Sequence, residues 1–216
     1  MSLDKVDTSS QLGRSLLDRR EFFRKSILIS GAVVTAASGI VPSEGIASAH
    51  VLTDTKRRRH NHYDTVPFYR LYNSDYHDHF YTTSRAEDQE ARNKYGYQDE
   101  GTACYVYSDN SYDDRLAKFY RLYNPDKHDH FYTTDRAEAR QARRKYGYND
   151  EGTACYVYKH DSYDNNLVPL YRLYNPDVVD HFYTTSDNER QNAIDNDGYN
   201  DEGIACYVYD RRDYNR

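Results

Sequence analysis

Short stretches rich in aromatic and branched residues recur along the chain, separated by polar, turn-forming residues. FYRLYN or LYRLYN ends at Asn followed by Ser or Pro, and HFYTT follows after the loop SDYHD, PDKHD or PDVVD. Aromatic and β-branched residues favour strands, whereas Asn, Pro and Asp favour tight turns. The pattern therefore predicts a β-hairpin three times, with the second strands at His79 to Thr83, His130 to Thr134 and His181 to Thr185.

The stretch after each hairpin changes to a helical pattern. A Ser or Asp stands three residues before a Glu, the capping-box arrangement in which each side chain bonds a free amide of the first turn. A Gly follows, and a residue without Cβ readily ends a helix in the left-handed conformation. The caps are Ser84, Asp135 and Ser186, the glutamates are Glu87, Glu138 and Glu189, and the glycines are Gly96, Gly147 and Gly198. We therefore expect a short helix three times.

The last stretch, TACYVY or IACYVY, alternates between two faces. Cys104 and Val106 face one way and Tyr105 and Tyr107 face the other, as expected for a third strand. All of these landmarks recur with a period of 51 residues. The chain is therefore a repeat of three ββαβ units. We call them copy 1 (66–116), copy 2 (117–167) and copy 3 (168–216).

The three copies are expected to form one β-rich domain. A unit of this size is too small to bury its own apolar face, and a linear array would need polar end copies, which the sequence lacks. The repeat therefore predicts a closed, β-trefoil-like barrel with pseudo-threefold symmetry. A compact ring of three ββαβ units is the alternative.

Residues 1–49 share nothing with the copies and are typical of an export signal. DRREFFRKSILISGAVV resembles a twin-arginine translocation signal, with Arg19 and Arg20 before an apolar stretch and Ala47 to Ala49 as a signal-peptidase site. That resemblance implies export of an already folded chain, to the cell envelope, the periplasm or the medium. A membrane anchor is the alternative, but Ser26 to Val41 is shorter than the ~20 residues needed to span a bilayer. Residues 50–65 are expected to be a polar, basic linker.

Charge and cysteine content restrict the possible partners. The chain has 29 Lys and Arg against 35 Asp and Glu, and its longest basic run is KRRR in the linker, so no nucleic-acid partner is expected. The three cysteines occupy equivalent positions, and an odd number cannot all pair. We expect small buried apolar side chains at Cys104, Cys155 and Cys206, with a three-thiolate metal site as the alternative.

Tyrosine and a repeated Asp-His pair are the candidate binding groups. The chain has 25 Tyr and no Trp, and a tyrosine ring stacks on the apolar face of a sugar while its hydroxyl bonds the rim. A carboxylate beside an imidazole in a turn bonds ligand hydroxyls. In the alternative interpretation, Asp caps the turn and His packs on a neighbouring Tyr. The candidate ligand-binding residues are Asp78, His79, Tyr81, Asp129, His130, Tyr132, Asp180, His181 and Tyr183.

Metal and catalytic interpretations are less favoured. HDH would place two imidazoles on one side of a strand in copies 1 and 2, but Val179 breaks that pattern in copy 3, so no metal site is predicted. The acidic pairs Asp99-Glu100, Asp150-Glu151 and Asp201-Glu202 are expected to form structural turns, with each Glu bonding tyrosine hydroxyls or helix-end amides. A hydrolase that uses one of these glutamates is the enzymatic alternative. No GxSxG, HExxH or phosphate-binding glycine loop is present, and no cofactor is expected.

The combination of YRLYNPD, DHFYTT, GY, EG and A.YVY resembles a tandem, Tyr-rich repeat domain of unknown function from secreted bacterial and fungal proteins. The resemblance covers about residues 66–210. Such repeats occur alone or beside secreted hydrolases, which implies a carbohydrate-binding or surface-attachment module. This chain has Cys104, Cys155 and Cys206 where a small residue such as Gly is more usual, and no attached enzyme domain is expected.

These observations together predict an exported, non-catalytic, lectin-like module with three equivalent sites for a glycan or a cell-surface polymer. The alternatives are a secreted hydrolase and a structural or inhibitory envelope protein that binds protein partners.

Overall fold

The computed structural model describes residues 65–110 and 113–210. The predicted signal peptide, residues 1–49, and all of the predicted linker except Thr65 lie outside the described residues. Within the described ranges, three groups of elements follow one another in the order ββαβ. No helix among them is long and apolar enough to cross a membrane.

The bounds of the elements agree to within one residue in the three copies. Copy 1 contains β1 (Val66–Asn73), β2 (Asp78–Thr82), α1 (Arg85–Tyr95) and β3 (Gln98–Val106). Copy 2 contains β4 (Ala117–Asn124), β5 (Asp129–Thr133), α2 (Arg136–Lys145) and β6 (Asn149–Val157). Copy 3 contains β7 (Leu167–Asn175), β8 (Asp180–Thr184), α3 (Asp187–Asn196) and β9 (Asn200–Tyr209), and a short 3-10 helix (Asp161–Tyr163) precedes it.

Each copy is a three-stranded antiparallel sheet whose first strand lies in the middle. β1 pairs with β2 on one side and with β3 on the other, and β4 and β7 do the same in their copies. The hairpin register is identical, since Tyr69 faces Thr82, Tyr120 faces Thr133 and Tyr171 faces Thr184. The predicted hairpins are therefore confirmed.

The hairpin loops have a feature that the sequence analysis did not anticipate. The fourth loop residue is left-handed in every copy, with φ of 54° at His77, 58° at His128 and 59° at Val179. A β-branched residue is disfavoured in this conformation, so Val179 is strained where the two histidines are better tolerated.

The third strands begin earlier than predicted. β3 starts at Gln98, so Asp99 and Glu100 lie within the strand and not in a turn. The pairing register shifts opposite Arg70, next to Gly101, whose φ is 89°. The prediction of a turn at the acidic pairs is therefore wrong, because a glycine inside a strand also accommodates a β-bulge.

The predicted helix ends are confirmed, but the capping box forms only in part. Ser84 Oγ accepts a hydrogen bond from the Glu87 N–H at 3.3 Å, and Gly96 ends α1 with φ of 76°. The Glu87 carboxylate does not accept the hydrogen bond from the Ser84 N–H that a complete capping box has. Thr82 Oγ1 accepts from the Ser84 N–H at 3.0 Å instead and donates to Glu87, which leaves this carboxylate to bind elsewhere.

The strands form one six-stranded sheet, β2-β1-β3-β9-β7-β8, and one three-stranded sheet, β5-β4-β6. Among the described residues, strands of different copies pair through single residues at equivalent positions. These are Tyr107 with Tyr156, Tyr158 with Tyr207, and Tyr105 with Tyr209. The β-rich class is confirmed, and the strand pairing describes two sheets rather than one closed barrel.

All three copies contribute to the central core. Phe68, Tyr81, Cys104 and Val106 of copy 1 pack with the equivalent residues of copies 2 and 3. The three cysteines are free and buried, which confirms their expected role as small apolar side chains. Burial raises the pKa of the Cys104 thiol well above its ordinary value.

Candidate functional site

The two residues of each predicted Asp-His pair do not bind each other. Each carboxylate binds the histidine of another copy instead. His130 donates its backbone N–H to Asp78 Oδ1 at 2.9 Å, and its Nδ1 lies 2.7 Å from Asp78 Oδ2. His181 binds Asp129 in the same way, and His79 binds Asp180. These six residues therefore form a cycle of contacts through all three copies.

The three aspartates lie together in the interior. Asp78, Asp129 and Asp180 are each 0 % exposed, and one carboxylate oxygen from each lies within 4.8 Å of the others. Each also accepts a hydrogen bond from a tyrosine of its own copy: Tyr97, Tyr148 or Tyr199. Their oxygens are thus already engaged by histidine and tyrosine donors.

The buried aspartates favour the charged form of the histidines. Burial by itself lowers the pKa of His79, but the carboxylate of Asp180 outweighs it and raises the net pKa above the ordinary value. Asp129 has the same effect on the pKa of His181. Burial raises the pKa of Asp180, but its bonds to His79 and Tyr199 produce a net lowering. Both shifts in the His79–Asp180 pair thus favour the charged form of each partner.

The three candidate tyrosines fill the centre of the molecule. Tyr81, Tyr132 and Tyr183 are at most 1 % exposed, and their rings meet edge to face at 5.5–5.6 Å between centroids. Each hydroxyl bonds the backbone of another copy. Their burial makes them packing residues.

Each imidazole is held between two aromatic rings. His79 lies 4.6 Å from Tyr72 of its own copy and 4.7 Å from Phe182 of copy 3, measured between ring centroids. The packing of His on a neighbouring Tyr matches the alternative interpretation of the Asp-His motif. The carboxylate's role differs from that interpretation, because it bridges copies.

The arginine of YRLYN forms ion pairs that were not predicted from the sequence. Arg70 donates to both carboxylate oxygens of Glu189 at 3.0 and 2.9 Å, and its Nε lies 2.8 Å from Glu100. Arg121 binds Glu87 and Glu151 in the same way, and Arg172 binds Glu138 and Glu202. The prediction that these strand glutamates bond tyrosine hydroxyls or helix-end amides is therefore wrong. The sequence signal that could have indicated these ion pairs is a charged residue repeated inside an otherwise apolar strand.

The HDH motif does not place two imidazoles together on a strand. His77 and His128 lie in the left-handed loop position, where their Nδ1 atoms are 3.1 Å from the hydroxyls of Tyr72 and Tyr123. The second histidine of each motif belongs to the buried Asp-His cycle.

A large groove lies between copies 2 and 3. It encloses about 1060 Å³, and its walls come from α2 and the hairpin of copy 2 on one side and from β7, β8 and β9 on the other. Its aromatic lining residues are Phe131, Tyr146, Tyr148, Tyr174 and His181. Of the nine candidate binding residues, His181 is the one that lines this groove, and its side chain is 12 % exposed.

The groove combines an aromatic platform with polar side chains. Tyr146 is 59 % exposed at the end of α2. Its backbone carbonyl accepts a hydrogen bond from Asn124 Nδ2 at 2.7 Å, which fixes its position. The polar lining residues include Asn124, Gln141, Lys127 and Lys145. We refer to this site as the copy 2–3 groove.

A second depression, of about 560 Å³, lies between copies 3 and 1. Its lining includes Thr102, Thr184, Ser186, Glu189 and Asp210, and none of its lining residues is aromatic. It therefore offers hydroxyl and carboxylate groups but no surface for stacking.

Comparison with known proteins identifies the family. The search of curated proteins gave no match, and neither did the search of solved structures. Residues 67–209 match the family described as a domain of unknown function, DUF5648. That segment is more than half of the chain and contains every strand and helix described above except the first residue of β1. The chain therefore belongs to the DUF5648 family.

Proposed function

We propose that this chain is an exported, non-catalytic carbohydrate-binding module. In this proposal the three copies form one closed body with pseudo-threefold symmetry, and a glycan or a cell-surface polymer binds in the grooves where neighbouring copies meet. The Asp-His pairs and the central tyrosines hold the copies together and so give the grooves their shape.

The copy 2–3 groove is the observation that supports this proposal. Binding sites for small molecules are typically concave, a few hundred to a thousand Å³ in volume, and combine aromatic surface with a few polar groups. The exposed ring of Tyr146 offers a stacking surface, and Gln141 offers an amide group that suits sugar hydroxyls.

Weaker sites at the other two junctions, which lack an exposed counterpart of Tyr146, would make binding multivalent. The same arginine and glutamate contacts recur at each junction, so each brings a helix of one copy against the central strand of another. Weak sites on one rigid body act together, because the second site binds at a high effective concentration once the first is occupied.

A hydrolase is less well supported. Glu138 and Glu202 both line the groove, but Arg172 already binds both carboxylates. A general acid or base must be free to reach the proton that it transfers. A module that binds protein partners is the remaining alternative, and the exposed Tyr146 would serve it equally.

The test is a glycan array followed by calorimetry with Tyr146→Ala. This side chain is largely exposed, so its removal should leave folding intact while removing the stacking surface. Loss of a sugar-stacking ring should weaken binding about tenfold or more. Tyr163→Ala, at a partly buried tyrosine outside the groove, is the control. No glycan bound by the parent chain, or unchanged binding by Tyr146→Ala, would contradict the proposal.

A further inference from the structure

Tyr174 differs from its counterparts in copies 1 and 2. In those copies the equivalent hydroxyl is bonded to a loop histidine, Tyr72 to His77 and Tyr123 to His128. Copy 3 has Val179 at this position, which cannot form the bond. The Tyr174 hydroxyl has no hydrogen-bond partner among the described residues, and Tyr174 lines the copy 2–3 groove. The replacement of His by Val therefore frees a hydroxyl inside the groove.

His181 stands beside Tyr174 and offers a second free donor. The two rings lie 4.6 Å apart, and the Nδ1 of His181 is 2.7 Å from Asp129. In the other copies Nε2 approaches a strand glutamate, with 3.8 Å between His79 and Glu100. Among the described residues His181 has no such contact within 4.0 Å. Its bond to Asp129 favours the charged imidazole, in which Nε2 carries a proton.

Two lysines add positive charge to the groove lining. Lys127 and Lys145 both line it, and neither forms an ion pair with a described residue. The pair is specific to this junction. The positions equivalent to Lys127 are Tyr76 and Val178, and those equivalent to Lys145 are Lys94 and Asn196.

The acidic lining residues are already engaged within the protein. Glu138 and Glu202 bind Arg172, with shortest distances of 3.0 and 2.7 Å. Asp135 accepts a hydrogen bond from the Ala137 N–H at 2.6 Å as the cap of α2. The groups left for a ligand therefore include the two ammonium groups, the imidazole Nε2 and the tyrosine hydroxyl, besides the Gln141 amide.

We propose that the copy 2–3 groove is selective for acidic sugars, and that it binds a uronic acid residue. Lys127 and Lys145 hold the carboxylate, Tyr174 and His181 bond the ring hydroxyls, and the sugar stacks on Tyr146. This inference rests on the proposed carbohydrate-binding function. It also distinguishes the ligand of this junction from those of the other two junctions, which lack the pair of lysines.

The first experiment compares a charged ligand with its neutral counterpart. Calorimetry of the full chain with tetragalacturonate and with its methyl ester keeps the sugar ring and removes the charge. Hydrogen bonds to a charged group are stronger than those to a neutral one, so the acid should bind at least about tenfold more tightly than the ester. Lys127→Ala with Lys145→Ala should remove this preference. Lys118→Ala, at an exposed lysine of β4 outside the groove, should keep it.

The second experiment restores the pattern of the other copies. Val179→His introduces a histidine, which tolerates the left-handed loop position better than valine does. This histidine can bond the Tyr174 hydroxyl, as His77 and His128 bond their tyrosines. The variant should fold at least as stably as the parent, as followed by urea unfolding, and should bind tetragalacturonate several-fold more weakly. A folded Val179→His variant with undiminished affinity would overturn the role of Tyr174.

The outcomes separate this inference from the function on which it rests. Equal affinity for the acid and the ester would overturn selectivity for acidic sugars and leave carbohydrate binding intact. Binding of neutral glycans on the array without binding of tetragalacturonate would have the same meaning. Failure of every glycan to bind would overturn both.

Discussion

The hydroxyl of Tyr81 forms hydrogen bonds with both backbone groups of Tyr183. It donates to the carbonyl oxygen at 2.7 Å and accepts from the N–H at 2.9 Å. Tyr132 does the same to Tyr81, and Tyr183 does the same to Tyr132. These residues lie on β2, β5 and β8, which are edge strands of their sheets. Three hydroxyls therefore satisfy edge groups that would otherwise be buried without partners.

Tyr132→Phe tests this arrangement with the loss of a single oxygen. The variant leaves the N–H and the carbonyl of Tyr81 unsatisfied in the core, and each such group costs about 1–3 kcal/mol. We expect the free energy of unfolding in urea to fall by about 2–4 kcal/mol. Tyr146→Phe, at an exposed ring, should change it by less than about 0.5 kcal/mol. Equal effects of the two variants would show that the ring of hydroxyls contributes little.

The buried Asp-His pairs predict that stability falls as the pH rises above about 6.5. The folded-state pKa values of His79 and His181 are raised, so their contribution is complete below the unfolded value of about 6.5 and is lost as the pH rises through the folded value. The pKa of Asp180 is lowered, so its contribution is present above the unfolded value and is lost as the pH falls through the folded one.

Urea unfolding across pH 5–9 measures this dependence, and the free energy of unfolding should decrease from about pH 6.5 upward. His181→Gln removes one of the titrating groups and should flatten the slope on the alkaline side. A parent chain whose stability stays level or increases above pH 6.5 would contradict the assignment of charged histidines.

The arginine bridges predict that a Lys cannot replace Arg70. Its guanidinium binds Glu189 with two hydrogen bonds and Glu100 with a third contact, and its side chain is 15 % exposed. A lysine has one compact donor group and cannot reproduce the fork. We expect Arg70→Lys to destabilise the chain by about 1–3 kcal/mol. Arg143→Lys, at an exposed pair with Asp150, should cost less than about 1 kcal/mol. A similar loss in both variants would argue against the bridge.

The cysteines should be inert in the folded chain. Cys104, Cys155 and Cys206 are at most 2 % exposed, and burial raises the pKa of each thiol. The thiolate is the reactive form, so a thiol reagent should label none of them under native conditions and all three in urea. Rapid native labelling would place at least one thiol at the surface.

The local elements could be predicted because their signals are local. Alternation in TACYVY, the cap at Ser84 and the helix-ending Gly96 depend on neighbouring residues, and the structure confirms each. The contacts between copies could not be predicted in this way. Arg70 and Glu189 are 119 positions apart, and no sequence period indicates which copy's helix meets which strand.

The candidate site shows the same limit. Asp78 and His79 are adjacent in sequence, but Asp78 binds His130 and His79 binds Asp180 because the hairpins of different copies meet at the centre. Because the two residues are adjacent, the sequence suggested that they act as a pair at the surface. The hairpin is buried, so neither side chain is available there. The groove depends on the packing of α2 against copy 3, which the sequence pattern does not specify.

Binding in the copy 2–3 groove is tested most directly by an NMR titration of the ¹⁵N-labelled chain with a glycan. The account predicts that the largest shifts cluster at Lys127, Tyr146, Tyr174 and His181 and saturate with the affinity measured by calorimetry. Shifts confined to residues outside the groove, or no shifts with any glycan, would contradict it.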